Sequence, residues 1–241
     1  MKKVPVPDDS DKVHALTRTA LAAIPGIGGS SAQIFTLVVT PSLEKRRTKW
    51  LEELAQAVDE LGAKVDALNP EKLVGDERFV SALLQATSAA MRTHEQSKLD
   101  ALRNAVINTA LQPGTDEIMS TMFLSLVDQL TPTHLRVLAY FEDPAKWARD
   151  HGHPFPDGWQ MGPPTQPLLH ALPELTRHDK IYVSIIQDLN AKGLIEMSPN
   201  SLSTNMNANS AQRSATTALG KGFLAFISAP QLDEVQSREK P

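Results

Sequence analysis

Residues 185–197 read IIQDLNAKGLIEM and residues 216–227 read TTALGKGFLAFI. How these two stretches are joined decides the C-terminal fold. The first is the end of a helix expected from about His178 to Lys192. Gly193 stops that helix, because glycine adopts the left-handed conformation that lets a helix turn straight into a strand. Leu194 to Met197 then read as a short strand. The polar loop NSLSTNMNANSAQRS, residues 200–214, leads to a return strand at Ala215 to Ala218 and a last helix from Leu219 to Ile227. Gly220 and Gly222 allow that helix to lie close against the preceding hairpin.

Upstream, Thr131-Pro132 opens a helix ending near Phe141, and Asp143-Pro144 opens a short one through Trp147. Both pairs place a side-chain cap before a proline in the first helical turn. Seven of the 17 prolines lie between Pro144 and Pro173, with Gly152, Gly158 and Gly162 among them. That segment is not continuous helix. The order helix, helix, helix, strand, loop, strand, helix is the plan of a winged helix-turn-helix domain with a small two-stranded β wing. It is expected over 131–228, with a Pro-rich insertion at 152–173 and a flexible tail at 229–241.

No alternating strand pattern occurs before residue 130, so 9–130 reads as all-α helical hairpins or a bundle. Asp9 or Ser10 caps a first helix to about Ile24, Pro25 to Gly29 form a turn, and a short helix spans Ser30 to Val39. Thr40-Pro41 then opens a long helix over about 41–68. Its apolar positions Leu51, Leu54, Val58, Leu61, Val65 and Leu68 alternate by three and four, the seam of a bundle. Asp76 caps a helix bearing Phe79, Val80, Leu83 and Leu84, continuing, straight or kinked, through Leu99 and Leu102 to Leu111. Thr115 caps the next, with Ile118, Met122, Phe123, Leu126 and Leu130. The fold class is therefore mainly α.

Composition narrows the function. The chain has 241 residues, 41% hydrophobic and 22% charged, with Lys+Arg 24 against Asp+Glu 28 and a net charge of −4. A strongly basic nucleic-acid coat is excluded for the chain as a whole. Cysteine is absent, so disulfide scaffolds, thiolate metal sites and a cysteine nucleophile are excluded. Lys2 and Lys3 are followed by Pro5, Pro7, Asp8 and Asp9 where a signal peptide needs apolar residues, and a cytoplasmic protein is expected.

The stretches 185–197 and 216–227 resemble the helix end and post-wing helix of MarR-like winged-helix regulators. That resemblance covers about 131–228 and implies that the 178–192 helix enters a major groove while the 198–213 loop forms the wing. The whole chain also resembles a family of uncharacterised bacterial proteins. That likeness rests on IPGIGGSSAQIFTLVVTPSLEKRRTKWLEELA, FVSALLQATSAAMRTHEQSKLDALRNAV, LTPTHLRVLAYFEDPAKWA and TTALGKGFLAFI. It implies bacterial origin and architecture, without an activity.

DNA affinity comes mainly from several cations set against phosphates. The candidates for such contact are Lys180, Ser184, Gln187 and Lys192 on the helix and Arg213 on the wing. From residue 131 onward ten Lys and Arg meet eleven Asp and Glu, which is poor concentration of positive charge for a DNA reader. The first expectation is therefore a non-enzymatic interaction or regulatory protein with a protein partner or self-association. A DNA-binding transcriptional regulator is the alternative. A membrane-active effector is the second alternative, using the uncharged hairpin 19–43 and the basic cluster Lys45, Arg46, Arg47 and Lys49 that follows it. In the first turns of a helix those cations would oppose the helix dipole, which lends them functional weight.

Five of the seven histidines fall between His134 and His178, but no zinc spacing links them, and no metal site is expected. PGIGG lacks the Gly-Lys-Ser/Thr ending and preceding strand of a phosphate loop. Glu52-Glu53 and Asp59-Glu60 read as a solvated helical face. Trp147, Phe155 and Trp159 are expected to pin the Pro-rich loop to the domain. No catalytic residue, cofactor or small-molecule substrate is inferred.

Overall fold

The computed structural model describes residues 29–62, 65, 68–111, 116–153, 155, 159–177, 180–197 and 199–230. The first expected helix, most of the Pro25 to Gly29 turn and the end of the tail lie outside them. The described residues are mainly helical, with one small two-stranded antiparallel sheet.

The first element, α1, runs Gly29–Gly62, 34 residues. It does not open at Thr40-Pro41 and does not reach residue 68, as 41–68 required. Pro41 sits in its interior, where its missing N–H removes one bond to the Leu37 carbonyl. Gly62 ends the helix where the chain turns back closely enough that a Cβ there would stand 3.0 Å from the Leu68 carbonyl oxygen. Leu54, Val58, Val65 and Leu68 are buried as expected, but Trp50 is buried in place of Leu51, which is 39% exposed. Trp50, Leu54 and Val58 follow one another at i, i+4, so Leu51 lies about 100° off their line.

Next come α2 (Pro70–Gly75), α3 (Glu77–Met91) and α4 (Gln96–Leu111). Asp76 caps α3 by accepting from the N–H groups of Arg78 and Phe79. The sequence suggests one helix from here to Leu111, yet the chain breaks after Met91. The Thr93 hydroxyl accepts the Glu95 N–H at 3.1 Å, a local bond that competes with the helical one. Packed α3 and α4 then form a helical hairpin. Asp116, rather than Thr115, caps α5 (Glu117–Gln129) by accepting from Ile118 N–H at 3.0 Å. The pairs at 131–132 and 143–144 behave as read, opening α6 (Pro132–Glu142) and α7 (Pro144–Asp150) under the Thr131 and Asp143 caps.

The Pro-rich segment is more ordered than its composition suggests. It holds strand β1 (Met161–Gly162), helix α8 (Thr165–Ala171) and a tight turn at Pro173–Arg177, and it buries Leu168, Leu172 and Leu175. The Trp159 indole N–H donates to Gln166 Oε1 at 2.7 Å, and the Trp147 ring stacks on His151 with centroids 3.8 Å apart. These contacts join residues of α7 and its C-cap, or residues within the segment itself; the segment is tied to the rest of the chain by the β1–β2 pairing and its buried leucines instead.

Helix α9 (Ile181–Ala191) ends at Gly193, whose φ of +70° supplies the left-handed turn. The hairpin expected after it is reduced to a single bridge, Ile195 opposite Thr216. The two-stranded sheet forms elsewhere. Met206–Asn207, strand β2, pairs antiparallel with β1, Met161 opposite Asn207. Gln160 extends the pairing by accepting the Ala208 N–H at 3.0 Å. The loop expected to be a free wing therefore carries its own turn at Pro199–Ser203, β2 and the short helix α10 (Ala208–Ala211), and is clasped by the insertion.

The last helix, α11 (Ala218–Ile227), begins at the Thr217 cap. It packs on α4, whose C-terminal half is buried on almost every side. Phe123 of α5 contacts Phe223 and Phe226 with centroids 5.6 and 5.4 Å away. Asn108, 3% exposed, donates to the carbonyls of Phe226 at 2.8 Å and Ser228 at 2.9 Å, and Asn104 donates to Ile227 at 3.0 Å. Those carbonyls are the ones a helix end leaves unpaired. The chain divides into two compact units between Glu52 and Glu53. Within the second, the α4–α11 clamp ties residues on both sides of 130 together.

Two stability predictions follow from these contacts. Asn108→Leu strands buried carbonyls and is expected to cost about 1–3 kcal/mol in urea unfolding. An unchanged midpoint would show that the clamp contributes nothing. A Cβ at Gly220 would stand 2.1 Å from the Leu194 carbonyl oxygen, whereas one at Gly222 meets only the Phe123 ring at 3.5 Å. Gly220→Ala is thus expected to destabilise by roughly 1–3 kcal/mol. Gly222→Ala, with ordinary contacts and better helix propensity, is expected to be neutral or stabilising by up to about 1 kcal/mol.

Candidate functional site

Helix α9 is set by what it buries. Ile185, Ile186 and Leu189 point into the core, and α9 packs against α6. Its opposite face carries Ile181, Ser184, Gln187 and Ala191, all exposed. Asp188 lies among them with its side chain 44% exposed and is the one charged residue on this face within the helix. Lys180 precedes it in the left-handed conformation, φ 51°, exposed and without a capping bond from its side chain. His178 and Asp179 lie outside the described residues.

Of the five residues selected for DNA contact, the fold leaves four facing solvent and draws one inward. Lys180, Ser184, Gln187 and Arg213 are exposed. Lys192 is folded back: its ammonium donates to Gln129 Oε1 at 3.2 Å and pairs with Asp188 at 3.5 Å. Asp188 also faces His134 Nε2 at 3.4 Å. Lys192 is therefore part of a network joining the ends of α5, α6 and α9 rather than a free phosphate contact. Arg213 lies at the far end of the clasped loop. Sequence reading missed Arg177, exposed at the turn before α9. It also missed the role of His134, because a histidine in a first helical turn carries no local sign of what faces it.

The geometry around His134 is specific. Thr131 Oγ1 accepts the His134 backbone N–H and lies 2.7 Å from the ring Nδ1, to which its hydroxyl donates when the neutral imidazole carries its proton on Nε2, the nitrogen facing Asp188. Burial holds the His134 pKa below its ordinary value, Lys192 adds to that, and Asp188 pulls the other way. Protonation would also remove the Nδ1 lone pair that accepts from Thr131.

The basic cluster Lys45, Arg46, Arg47 and Lys49 sits in the middle of α1, not in its first turns. The dipole argument for its function falls away, because that effect is confined to the terminal turns. Arg46 is half-buried, while Lys45, Arg47 and Lys49 are exposed; Arg46 and Lys49 have interaction partners. The uncharged hairpin 19–43 falls partly outside the described residues, and its part from residue 29 belongs to α1. Among the described residues no helix is long and apolar enough to cross a membrane. Among them, too, no three His, Asp or Glu side chains converge as metal ligands; His153 and His170 stand edge to face, centroids 6.2 Å apart.

No family model matches the sequence, and no curated protein or solved structure is significantly similar to it.

A group whose pKa is depressed by folding stabilises the folded state above its unfolded pKa and loses that contribution as pH falls through the folded value. For His134 the loss begins below the ordinary histidine pKa of about 6.5. The His134→Gln variant is therefore expected to show a shallower fall in melting temperature between about pH 7 and pH 5. Parallel pH profiles for variant and parent would show that His134 is not perturbed.

Proposed function

We propose that the chain is a bacterial, non-catalytic interaction protein of regulatory type, acting through its helical body and a winged-helix-like C-terminal region. The observation that carries this reading is the outward face of α9, where Ile181, Ser184, Gln187 and Ala191 are exposed and the one charge, Asp188, is an acid that faces His134 and Lys192. A helix meant for a major groove gathers cations and their phosphate partners. Here the one lysine near its C-terminal end pairs internally, and the loop that would act as a wing is tied to the insertion. Small and apolar side chains on an exposed helix suit a protein surface better. Val80 and Leu84, one turn apart on α3 and 39% and 66% exposed, add a second apolar stripe of the same kind.

DNA binding is the second reading, favoured by the exposed Arg177, Lys180 and Arg213. Fluorescence anisotropy on random duplex at about 50 mM salt separates the two, since non-specific affinity depends steeply on salt. The interaction reading expects no binding there. Retention that falls with salt and is lost in Lys180→Glu plus Arg213→Glu would establish the DNA role instead.

Light scattering tests the interaction reading directly. The full chain is expected to exceed its 26.3 kDa monomer mass as concentration rises, or to purify with a stoichiometric partner. Leu84→Lys with Ile181→Lys is expected to return it to the monomer while changing stability by less than about 0.5 kcal/mol, as suits exposed positions. A chain monomeric at every concentration and recovered bare in repeated purifications would overturn the reading.

A further inference from the structure

A cleft of about 160 Å³ opens where α6, the β1–β2 clasp and the segment leading to α11 meet. Phe141, Pro164, Met197 and Met206 give it an apolar wall, and Tyr140, Ser210 and Arg213 bring hydrogen-bond donors to it. Tyr140 is the informative member. The residue is 2% exposed, and its hydroxyl makes no hydrogen bond to a described residue but keeps contact with the solvent of the cleft. Burial raises its pKa, so the phenol stays protonated and remains a donor at neutral pH. A donor whose partner is cleft water exchanges that water for an acceptor on a ligand.

The remaining groups set the chemistry of the acceptor that would replace that water. Arg213 is exposed and makes no ion pair within the described residues. Ser214 is engaged, its hydroxyl donating to Glu142 at 3.4 Å, and Glu142 in turn faces Lys221 at 3.9 Å. Glu196 is the one acid in the lining, and it is exposed to solvent, where its opposing charge is well screened. Donors therefore dominate one side of the cleft and methionine, proline and phenylalanine the other. A protein cavity of about 150 Å³ accommodates benzene, so this one has room for roughly six carbons.

We infer that this cleft binds a short apolar carboxylate. Its hydrocarbon end lies against Pro164, Met197 and Met206, and its carboxylate accepts from the Tyr140 hydroxyl and the Arg213 guanidinium. Because Pro164 follows β1 and Met206 belongs to β2, the ligand bridges the two sides of the clasp. This site stands apart from the docking role proposed above, and its test reads out independently of it.

Calorimetric titration of the full chain with 4-methylpentanoate tests the assignment. The expected Kd is on the order of 1 mM, as suits a ligand of about eight heavy atoms. Tyr140→Phe and Arg213→Gln are each expected to weaken binding about tenfold, and Glu196→Gln to tighten it. Tyr140→Phe removes a hydroxyl that makes no hydrogen bond to a described residue, so its melting temperature is expected not to fall, which separates loss of binding from loss of fold. Three results would overturn the inference: no heat of binding up to about 20 mM ligand, equal affinity for 4-methylpentanamide, or unchanged affinity in both the Tyr140 and Arg213 variants.

Discussion

At the end of the last helix, carbonyl oxygens that have run out of backbone donors are met by two asparagine side chains one turn apart on α4. Asn108 lies among Val106, Ile107 and Leu111, in a part of the helix that is almost wholly out of water. An amide there is costly unless its hydrogen bonds are made, and a helix end there is costly unless its carbonyls are met. Each problem solves the other. The pairing fixes where α11 lies, and α11 in turn presents Phe223 and Phe226 to Phe123. The chain from Glu53 onward is one unit because of this contact between residues more than a hundred positions apart.

From that anchored helix the rest of the C-terminal architecture can be followed backward. Gly220 lets α11 press on the Leu194 carbonyl, and the Thr217 hydroxyl donates to the Gly193 carbonyl at 2.6 Å while accepting from the Gly220 N–H at 2.9 Å. So little room remains beside the end of α9 that only one residue pair bridges the two extended segments. The long polar loop then finds its strand partner in the Pro-rich insertion. A loop held at both ends and clasped in its middle is a wall rather than a mobile wing. That wall closes one side of the cleft over Tyr140, so the departure from a plain hairpin and the appearance of a pocket have one origin.

The charges follow the same logic. A lysine and an aspartate near the end of α9 look, in sequence, like members of a solvated helical face. In the fold they meet His134 and Gln129 at the junction of three helix ends, where pairing with neighbours replaces contact with a distant polyanion. What remains fully exposed along α9 itself is Ile181, Ser184, Gln187 and Ala191, with the cations Lys180, Arg177 and Arg213 lying beyond the helix. The functional proposal therefore rests on which side chains the packing turned inward as much as on those left outside.

Local chemistry was legible without coordinates. The caps at Asp76, Thr131 and Asp143, the left-handed turn at Gly193 and the lack of an alternating strand pattern in the first half all depend on residues within a few positions of one another, whereas Thr217, read as part of a return strand, is the cap of α11. So the helical class and most helix starts could be read from the chain itself. The break at Thr93 was missed because a short hydroxyl bond has no signature in hydrophobic spacing, and the dipole argument at Lys45 failed because the helix start was misplaced. The cleft donors, the inward turn of Lys192, the β1–β2 pairing and the α4–α11 clamp were decided by tertiary structure alone. Each joins residues far apart in the chain, and whether a polar group ends up paired, stranded or exposed depends on which distant partner the packed core brings to it.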